Sequence, residues 1–498
     1  MTMLVKLNIP PGVFRNGTQY QTAGQWYDAN LVRWTDGLIM PVGGWSKLNS
    51  AATFNGACRG LFAWRDNGVK RYLAVGTNSK LYAWDDSGTL FDITPASFTV
   101  GRTDAIYGAG YGYGTFGSSA YGTARSIGGS AILEVATWTF DNWGEYLVAC
   151  APQDGKIYEW TLNTAAAATA VTSAPTSNRG VFVTAERHLV ALGASSNPRL
   201  VKWSSQEDRN TWTPTATNTA GDFELQTNGV ILAARRVRGQ NLIFTNLDVH
   251  VMNYIGAPYV YGFERVGSFC GAVSVNSMVA TESFCAWMGA ESFFTFDGAI
   301  KDIPCTVRDY VFGDINRQQI SKVYAGINSK FSEIWWFYPS ASSTENDRYV
   351  TYNYREAHWS IGTLTRTAWT SGGIFSNPLA ASSNGYVYAH ESGWTADGTA
   401  LTTQRYAESG AVEIQQGEQV AVVRQMLPDE RTQGQTRVVF KTRFTPEGSE
   451  SSHGPYSMTP YTDVRFTGRQ VAMRIEGNSD ADWRVGIPRL EMTAGGKR

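Results

Sequence analysis

The stretches Arg71–Asp85, RYLAVGTNSKLYAWD, and Glu145–Thr161, EYLVACAPQDGKIYEWT, decide the fold. Each runs an apolar strand through a short polar turn into an alternating strand that ends on or near an aromatic residue. The same strand pair recurs in Arg187–Trp203, Asn241–Tyr254, Ser283–Asp297, Glu333–Tyr354 and Pro378–His390. Taking Trp84, Trp160, Trp203, Tyr254, Phe296, Tyr354 and Tyr388 as the closing aromatics, the steps are 76, 43, 51, 42, 58 and 34 residues. Apart from the first, which carries an insertion, these scatter around the roughly 40 to 50 residues of a four-stranded propeller blade. A lone hairpin cannot bury its apolar face, so the copies must stack on one another. The expectation is a mostly-β chain whose residues 51–399 form a β-propeller of six to eight blades.

Composition agrees. The 498 residues include 17 Trp, 24 Tyr and 23 Phe, with 51 Gly against 17 Pro, which suits aromatic-rich strands separated by glycine turns. No long apolar stripe of helical period occurs. The length exceeds one ordinary core, so two or three domains are expected. After residue 400 the hairpin rhythm stops, and Ala411–Gln415, Glu418–Met426, Arg437–Phe444 and Arg469–Ile475 read as strands of a C-terminal β-sandwich-like domain, residues 400–498. Residues 1–50 read as an extended arm followed by two short strands around an Asp36–Gly37 turn, a candidate part of the same platform.

The formal net charge is −1, from 42 basic and 43 acidic residues, so attraction to nucleic-acid phosphates is not built into the whole molecule. A wall past which DNA slides would be hindered by tight phosphate binding, so neutrality is compatible with a conduit. Cys58, Cys150, Cys270, Cys285 and Cys305 are odd in number and lack CxxC spacing, which reads as buried thiols in a protein made in a reducing cytoplasm. The N-terminus has no signal-peptide stretch, and no uncharged apolar run reaches the roughly 18 residues of a membrane span. Asn16–Gly17–Thr18 is then a chance sequon.

Signatures of catalysis are sparse. HExxH, GxSxG and GxxxxGK[ST] do not occur, and the five histidines, His188, His250, His358, His390 and His453, are widely separated, so neither a metal site nor a cofactor is expected. The serious enzymatic rival is a glycosidase propeller, which needs two carboxylates at its axis. Asp85, Asp86, Asp297 and Asp302 are candidates, though acidic residues after hairpin strands are usually turn formers. Trp84–Asp85 occurs without the Gly-His partner of a WD repeat. The densest basic cluster, Arg235–Arg236–Val237–Arg238, is expected to make salt bridges at a blade edge or subunit seam. Gly112, Gly114 and Gly117 match GxGxxG formally, with no strand before and no helix after. They belong to Arg102–Ser130, a Gly/Tyr-rich insertion with few side chains to bury, expected to be a long loop.

Several strings taken together resemble the tail nozzle, or tail tubular protein B, family of short-tailed bacteriophages. They are Gly24–Trp34 (GQWYDANLVRW), Pro41–Trp45 (PVGGW), Trp212–Pro214 with Ala220–Phe223, Val307–Phe312 (VRDYVF) and Glu333–Pro339 (EIWWFYP). The resemblance implies a virion protein, made in the bacterial cytoplasm, that forms a homohexameric tube beneath the portal and adaptor rings. Such a tube contacts the adaptor and the tail fibres or spikes and passes double-stranded genomic DNA without sequence-specific binding. Under it, Tyr107, Tyr111, Tyr113, Phe116, Tyr121 and Arg125 of the insertion are candidates for a channel gate or tip that retains DNA. Trp26, Tyr27, Arg33, Trp34, Trp45, Trp483 and Arg484 are candidates for the subunit or adaptor interface. The alternative is a tail-associated carbohydrate-binding or glycosidase propeller, with a generic protein scaffold third.

Overall fold

The structure, a computed structural model, describes residues 2–18, 21–50, 53–107, 132–413, 419–445 and 448–497. It is mostly β, and its larger body is a propeller of seven four-stranded antiparallel blades. Blade 1 comprises Cys58–Arg65, Arg71–Thr77, Leu81–Asp85 and Leu90–Asp92. Blade 2 comprises Thr139–Trp143, Tyr146–Cys150, Ile157–Trp160 and Thr169–Ala170. Blade 3 is Gly180–Val183, Leu189–Leu192, Leu200–Trp203 and Gly221–Glu224, and blade 4 is Ile231–Val237, Gln240–Thr245, Asp248–Gly256 and Val260–Ser268. Blade 5 is Met278–Ala280, Cys285–Met288, Phe293–Phe296 and Ile300–Asp302. Blade 6 is Tyr324–Asn328, Glu333–Tyr338, Arg348–Asn353 and His358–Thr363.

Blade 7 takes only three strands in sequence, Ala368–Thr370, Leu379–Ala381 and Val387–His390. Its outer strand is Trp45–Lys47, in register Tyr388↔Lys47, Ala389↔Ser46 and His390↔Trp45. A segment from near the N-terminus thus staples the ring shut, and the first strand of each blade packs beside the first strand of the next, blade 7 against blade 1 included. The repeating unit of the sequence is the second and third strands of a blade. Six of the closing aromatics lie within a third strand, and Tyr354 follows the third strand of blade 6. Strands such as Leu81–Asp85 and Glu333–Tyr338 are buried throughout because neighbouring blades cover both faces, which explains their continuous apolar character.

The second body is a pair of sheets. One runs in the order Thr2–Lys6, Arg489–Lys497, Gln419–Leu427, Thr462–Gly468. The other runs Trp26–Asn30, Tyr406–Ser409, Gln470–Gly477, Thr436–Arg443, Ser451–Ser457, with Val412–Glu413 also on Gln470–Gly477. Burial alternates along Thr436–Arg443 and Thr462–Gly468, as it must where one face of a sheet is covered. Val423, Met426, Phe440, Phe466, Ile475 and Met492 fill the space between. Residues 1–50 are therefore divided: two strands enter these sheets and one enters blade 7. Between them the hairpin Val32–Thr35/Leu38–Pro41 turns at Asp36–Gly37, both at positive φ, the backbone a two-residue hairpin loop requires. One apolar core continues from this body into blades 5 and 6 through Trp26, Trp34, Trp336, Trp359 and Trp483.

Candidate functional site

Four of the five strings that carry the family resemblance meet at the joint between the two bodies. Arg33, at the second position of Val32–Thr35, sends its guanidinium into blade 6, where Nε donates to Glu333 Oε1 at 2.8 Å and one terminal nitrogen to Oε2 at 3.1 Å. The same guanidinium donates to both oxygens of Glu391 at 2.6 and 3.2 Å. Gly43 N–H and Asn328 Nδ2 complete the Glu391 shell at 3.1 and 2.9 Å, and Trp335 Nε1 donates to Glu333 at 3.1 Å. The Phe331 ring lies 3.7 Å from the guanidinium carbon. Burial pushes the Glu333 carboxyl up, and Arg33 offsets only part of that push. In Glu391 burial acts the same way, but Arg33 and the Gly43 N–H outweigh it and hold the carboxyl below its ordinary range. The helix Arg308–Asp314, which Val307 caps, carries the rest of the Val307–Phe312 string to the joint, where the Arg15 guanidinium lies over the Tyr310 ring at 4.1 Å and Asp309 N–H donates to Asn16 Oδ1 at 3.1 Å.

This placement corrects the expected interface. Trp26, Arg33, Trp34, Trp45 and Trp483 are 3, 2, 1, 9 and 0% exposed, so they hold the chain to itself and leave almost nothing for a neighbour to touch. The physical reason is that both chain ends build one sandwich, and the arm's large aromatics fill its seam with the propeller. Trp45 stacks on His390 at 5.5 Å and, with Tyr388, flanks the Arg366 guanidinium at 4.9 and 4.8 Å. Tyr27, under the Arg15 guanidinium at 4.7 Å, and Arg484, paired with Asp482 at 3.3 Å, keep partial exposure. Of the insertion candidates, Tyr111, Tyr113, Phe116, Tyr121 and Arg125 lie outside the described residues. Tyr107 is 45% exposed in a two-residue strand pairing Ile106–Tyr107 with Ile132–Leu133. Just before it, Ala105 N–H donates to Gln319 Oε1 at 2.9 Å, Asp104 pairs with the buried Lys322 at 2.5 Å, and Arg59 donates to Thr103 O at 3.0 Å. These bonds tie the connection between blades 1 and 2 to the segment entering blade 6.

A cavity of about 380 Å³ runs along the propeller axis, bounded by the innermost strands of all seven blades. Phe62, Trp138, Phe140, Phe182 and Trp369 give it aromatic walls. Gly326 has no side chain because the Trp369 ring occupies the place a Cβ would take. Arg235 and Arg236 both line the axis. That differs from the expected blade edge or subunit seam, because Ile231–Val237 is the inner strand of blade 4. Arg236 pairs with Asp141 of blade 2 at 3.3 Å, and Asp141 also accepts the N–H groups of Asn142 and Val183 at 2.9 Å each. Burial pushes the Asp141 carboxyl up against the pull of Arg236. Reading the axial residues from sequence requires counting two strands back from each closing aromatic, a step that points to Asp141 and Arg235.

The candidate carboxylates do not converge there. Asp85 is bound to Lys70 at 2.5 Å and Asp86 to Arg71 at 2.7 Å beside a cavity between blades 1 and 7. Asp297 pairs with Lys301 at 2.7 Å and Asp302 accepts from Ser292, both on blade 5. Among the described residues Asp141 is the one carboxylate lining the axial cavity, and no group of three or more His, Cys, Asp or Glu side chains is placed to hold a metal ion. No helix among them is long and apolar enough to cross a membrane.

No protein-family model matches this chain, and no curated protein does. Solved structures with a similar fold include the selenomethionine-substituted virginiamycin B lyase from Staphylococcus aureus, at 8% identity and TM-score 0.43, covering 70% of this chain and 98% of that one. The WD40 β-propeller domain of Doa1 is similar at 10% identity and TM-score 0.40, covering 70% and 97%. The WD40 domain of Neurospora crassa Pan2 is similar at 10% identity and TM-score 0.38, covering 72% and 96%.

Proposed function

We propose that this chain is a structural protein of a bacteriophage tail, the subunit of a homohexameric nozzle that conducts and retains genomic DNA during ejection. In this reading it is made in the host cytoplasm, assembles into the virion beneath the adaptor, and carries fibres or spikes on its outside. The observation that carries the reading is the convergence of Gly24–Trp34, Pro41–Trp45, Val307–Phe312 and Glu333–Pro339 on one joint. Four of the five strings that resemble the nozzle family lie where propeller and sandwich are tied together by buried ion pairs and packed aromatics. A closed ring of head-to-tail contacts needs rigid blocks, because flexible ones would not repeat one rotation angle.

The chemistry of the axis favours a structural role over hydrolysis. A glycosidase works between two carboxylates, and the axis presents Asp141 with its oxygens taken by Arg236 and two backbone N–H groups. A carbohydrate-binding role on the tail keeps one specific support: the cavity of about 320 Å³ between blades 1 and 7 combines Trp84 and Phe375 with Asp86, Arg71 and Asn377. Native mass measurement of the purified protein, alone and with its adaptor, decides between them. A hexamer is expected; a monomer that binds or cleaves host glycans overturns the nozzle reading.

A further inference from the structure

We propose that the axial cavity of the propeller binds a small organic anion with an apolar body, an aromatic carboxylate being the simplest member of the class. The cavity, about 380 Å³, falls within the roughly 300–1,000 Å³ of small-molecule sites. Its charge is unbalanced. Arg236 and Asp141 neutralise each other at 3.3 Å. Arg235 has no carboxylate within ion-pair distance among the described residues, and its guanidinium donates only to the backbone oxygens of Ala234 at 2.9 Å and Val275 at 3.3 Å.

A guanidinium has more donors than these two bonds use, in a planar fork that matches a carboxylate. Arg235 is half-buried, and a cation partly withdrawn from water without a counter-charge carries a cost that an incoming anion removes. Blade 4 stands across the seven-membered ring from blades 7 and 1, so Arg235 lies opposite Trp369 and Phe62 along the cavity wall. Phe62 and Phe140, stacked at 6.4 Å, are only partly buried and offer ring surface to an apolar body. One charged end and one aromatic end therefore define the ligand's shape: carboxylate toward Arg235, ring toward Phe62 and Phe140. This holds whether or not the chain is a nozzle subunit.

Calorimetric titration of the full chain with sodium benzoate tests the site, with benzyl alcohol as the neutral counterpart. Saturable benzoate binding is expected, at least about tenfold tighter than benzyl alcohol. Arg235→Met is expected to weaken benzoate at least about tenfold while melting no lower than the parent does without ligand. Absence of saturable benzoate binding to the parent chain overturns the proposal, and so does equal affinity in Arg235→Met. Should that variant fail to fold, the parent chain decides alone, because equal affinities for benzoate and benzyl alcohol remove any role for the charge.

Discussion

Arg33 and Glu333 stand 300 positions apart in the chain and share two hydrogen bonds, of 2.8 and 3.1 Å, in the forked geometry of a bidentate pair. Through them, and through Glu391, the N-terminal segment, blade 6 and blade 7 become one body. Arg33→Met leaves two buried carboxyls without their cation. The expected loss is about 3–5 kcal/mol of folding stability, the cost of breaking a buried pair by removing one partner. Urea unfolding of parent and variant measures it, and a loss below about 1 kcal/mol would mean the network is not what holds the joint.

The buried histidines set the response to mild acid. Burial holds His188 and His390 below their ordinary value of 6.5, and in His390 the neighbouring Arg366 and Arg33 add to the effect. His390 Nε2 accepts the Arg366 Nε–H at 2.8 Å, a bond that the neutral ring makes. Above pH 6.5 neither the folded nor the unfolded state protonates these rings. Below it the unfolded chain takes up protons that the folded one refuses, so stability falls as pH falls, by up to about 1.4 kcal/mol per group per pH unit. Glu391 loses its contribution only below about 4.5, whereas Glu333, shifted the opposite way, returns stability as pH falls toward 4.5 and so offsets part of the histidine decline. Chemical denaturation at pH 8, 7, 6 and 5 should therefore show a plateau followed by a decline starting near 6.5; a flat profile to pH 5 contradicts it.

Trp483 and Arg484 separate core from surface at adjacent positions. Trp483→Ala removes a fully buried ring and is expected to cost about 3–5 kcal/mol. Arg484→Ala touches a half-buried pair and should stay within about 0.5 kcal/mol. Melting curves of both variants check this. A Trp483→Ala protein that keeps its stability but fails to assemble would restore Trp483 to an interface.

Removing residues 1–50 takes the outer strand from blade 7 and two strands from the sandwich. The truncated chain is expected to lose cooperative unfolding and to be cut within the propeller by dilute protease. A compact fragment with the parent's melting temperature would show that the ring closes without its staple.

All five thiols should be inert in the native protein. Burial raises Cys270 to about 11 and Cys58, Cys285 and Cys305 to about 12, and raises Cys150 as well. The thiolate is the reactive form, so a disulfide reagent at pH 8 should titrate no thiols before denaturant is added and five after. Fast reaction of any one thiol in the native state contradicts the burial described for it.

The rhythm of strand pairs made the propeller readable from Trp84, Trp160, Trp203 and their counterparts, because a hairpin that repeats its apolar and polar faces can be satisfied only by stacking. The Asp36–Gly37 turn was readable for a local reason: both positions require positive φ. Arg33 and Trp45 were misplaced at a subunit surface because nothing local distinguishes an arm that crosses to a neighbour from one that folds back on its own chain. Asp141 and Arg236 went unnoticed as an axial pair because each strand shows only its own alternation, and the axis exists only where seven strands converge.

Blade type, blade spacing and the absence of long helices among the described residues followed from neighbours in the chain, since strand alternation and turn chemistry act over a few residues. The count of seven blades, the strand borrowed from residues 45–47, the sandwich built from both termini and the axial position of Arg235 and Arg236 followed from contacts between residues tens to hundreds of positions apart. Ring closure selects those contacts by the geometry of the whole, which no short window of sequence contains.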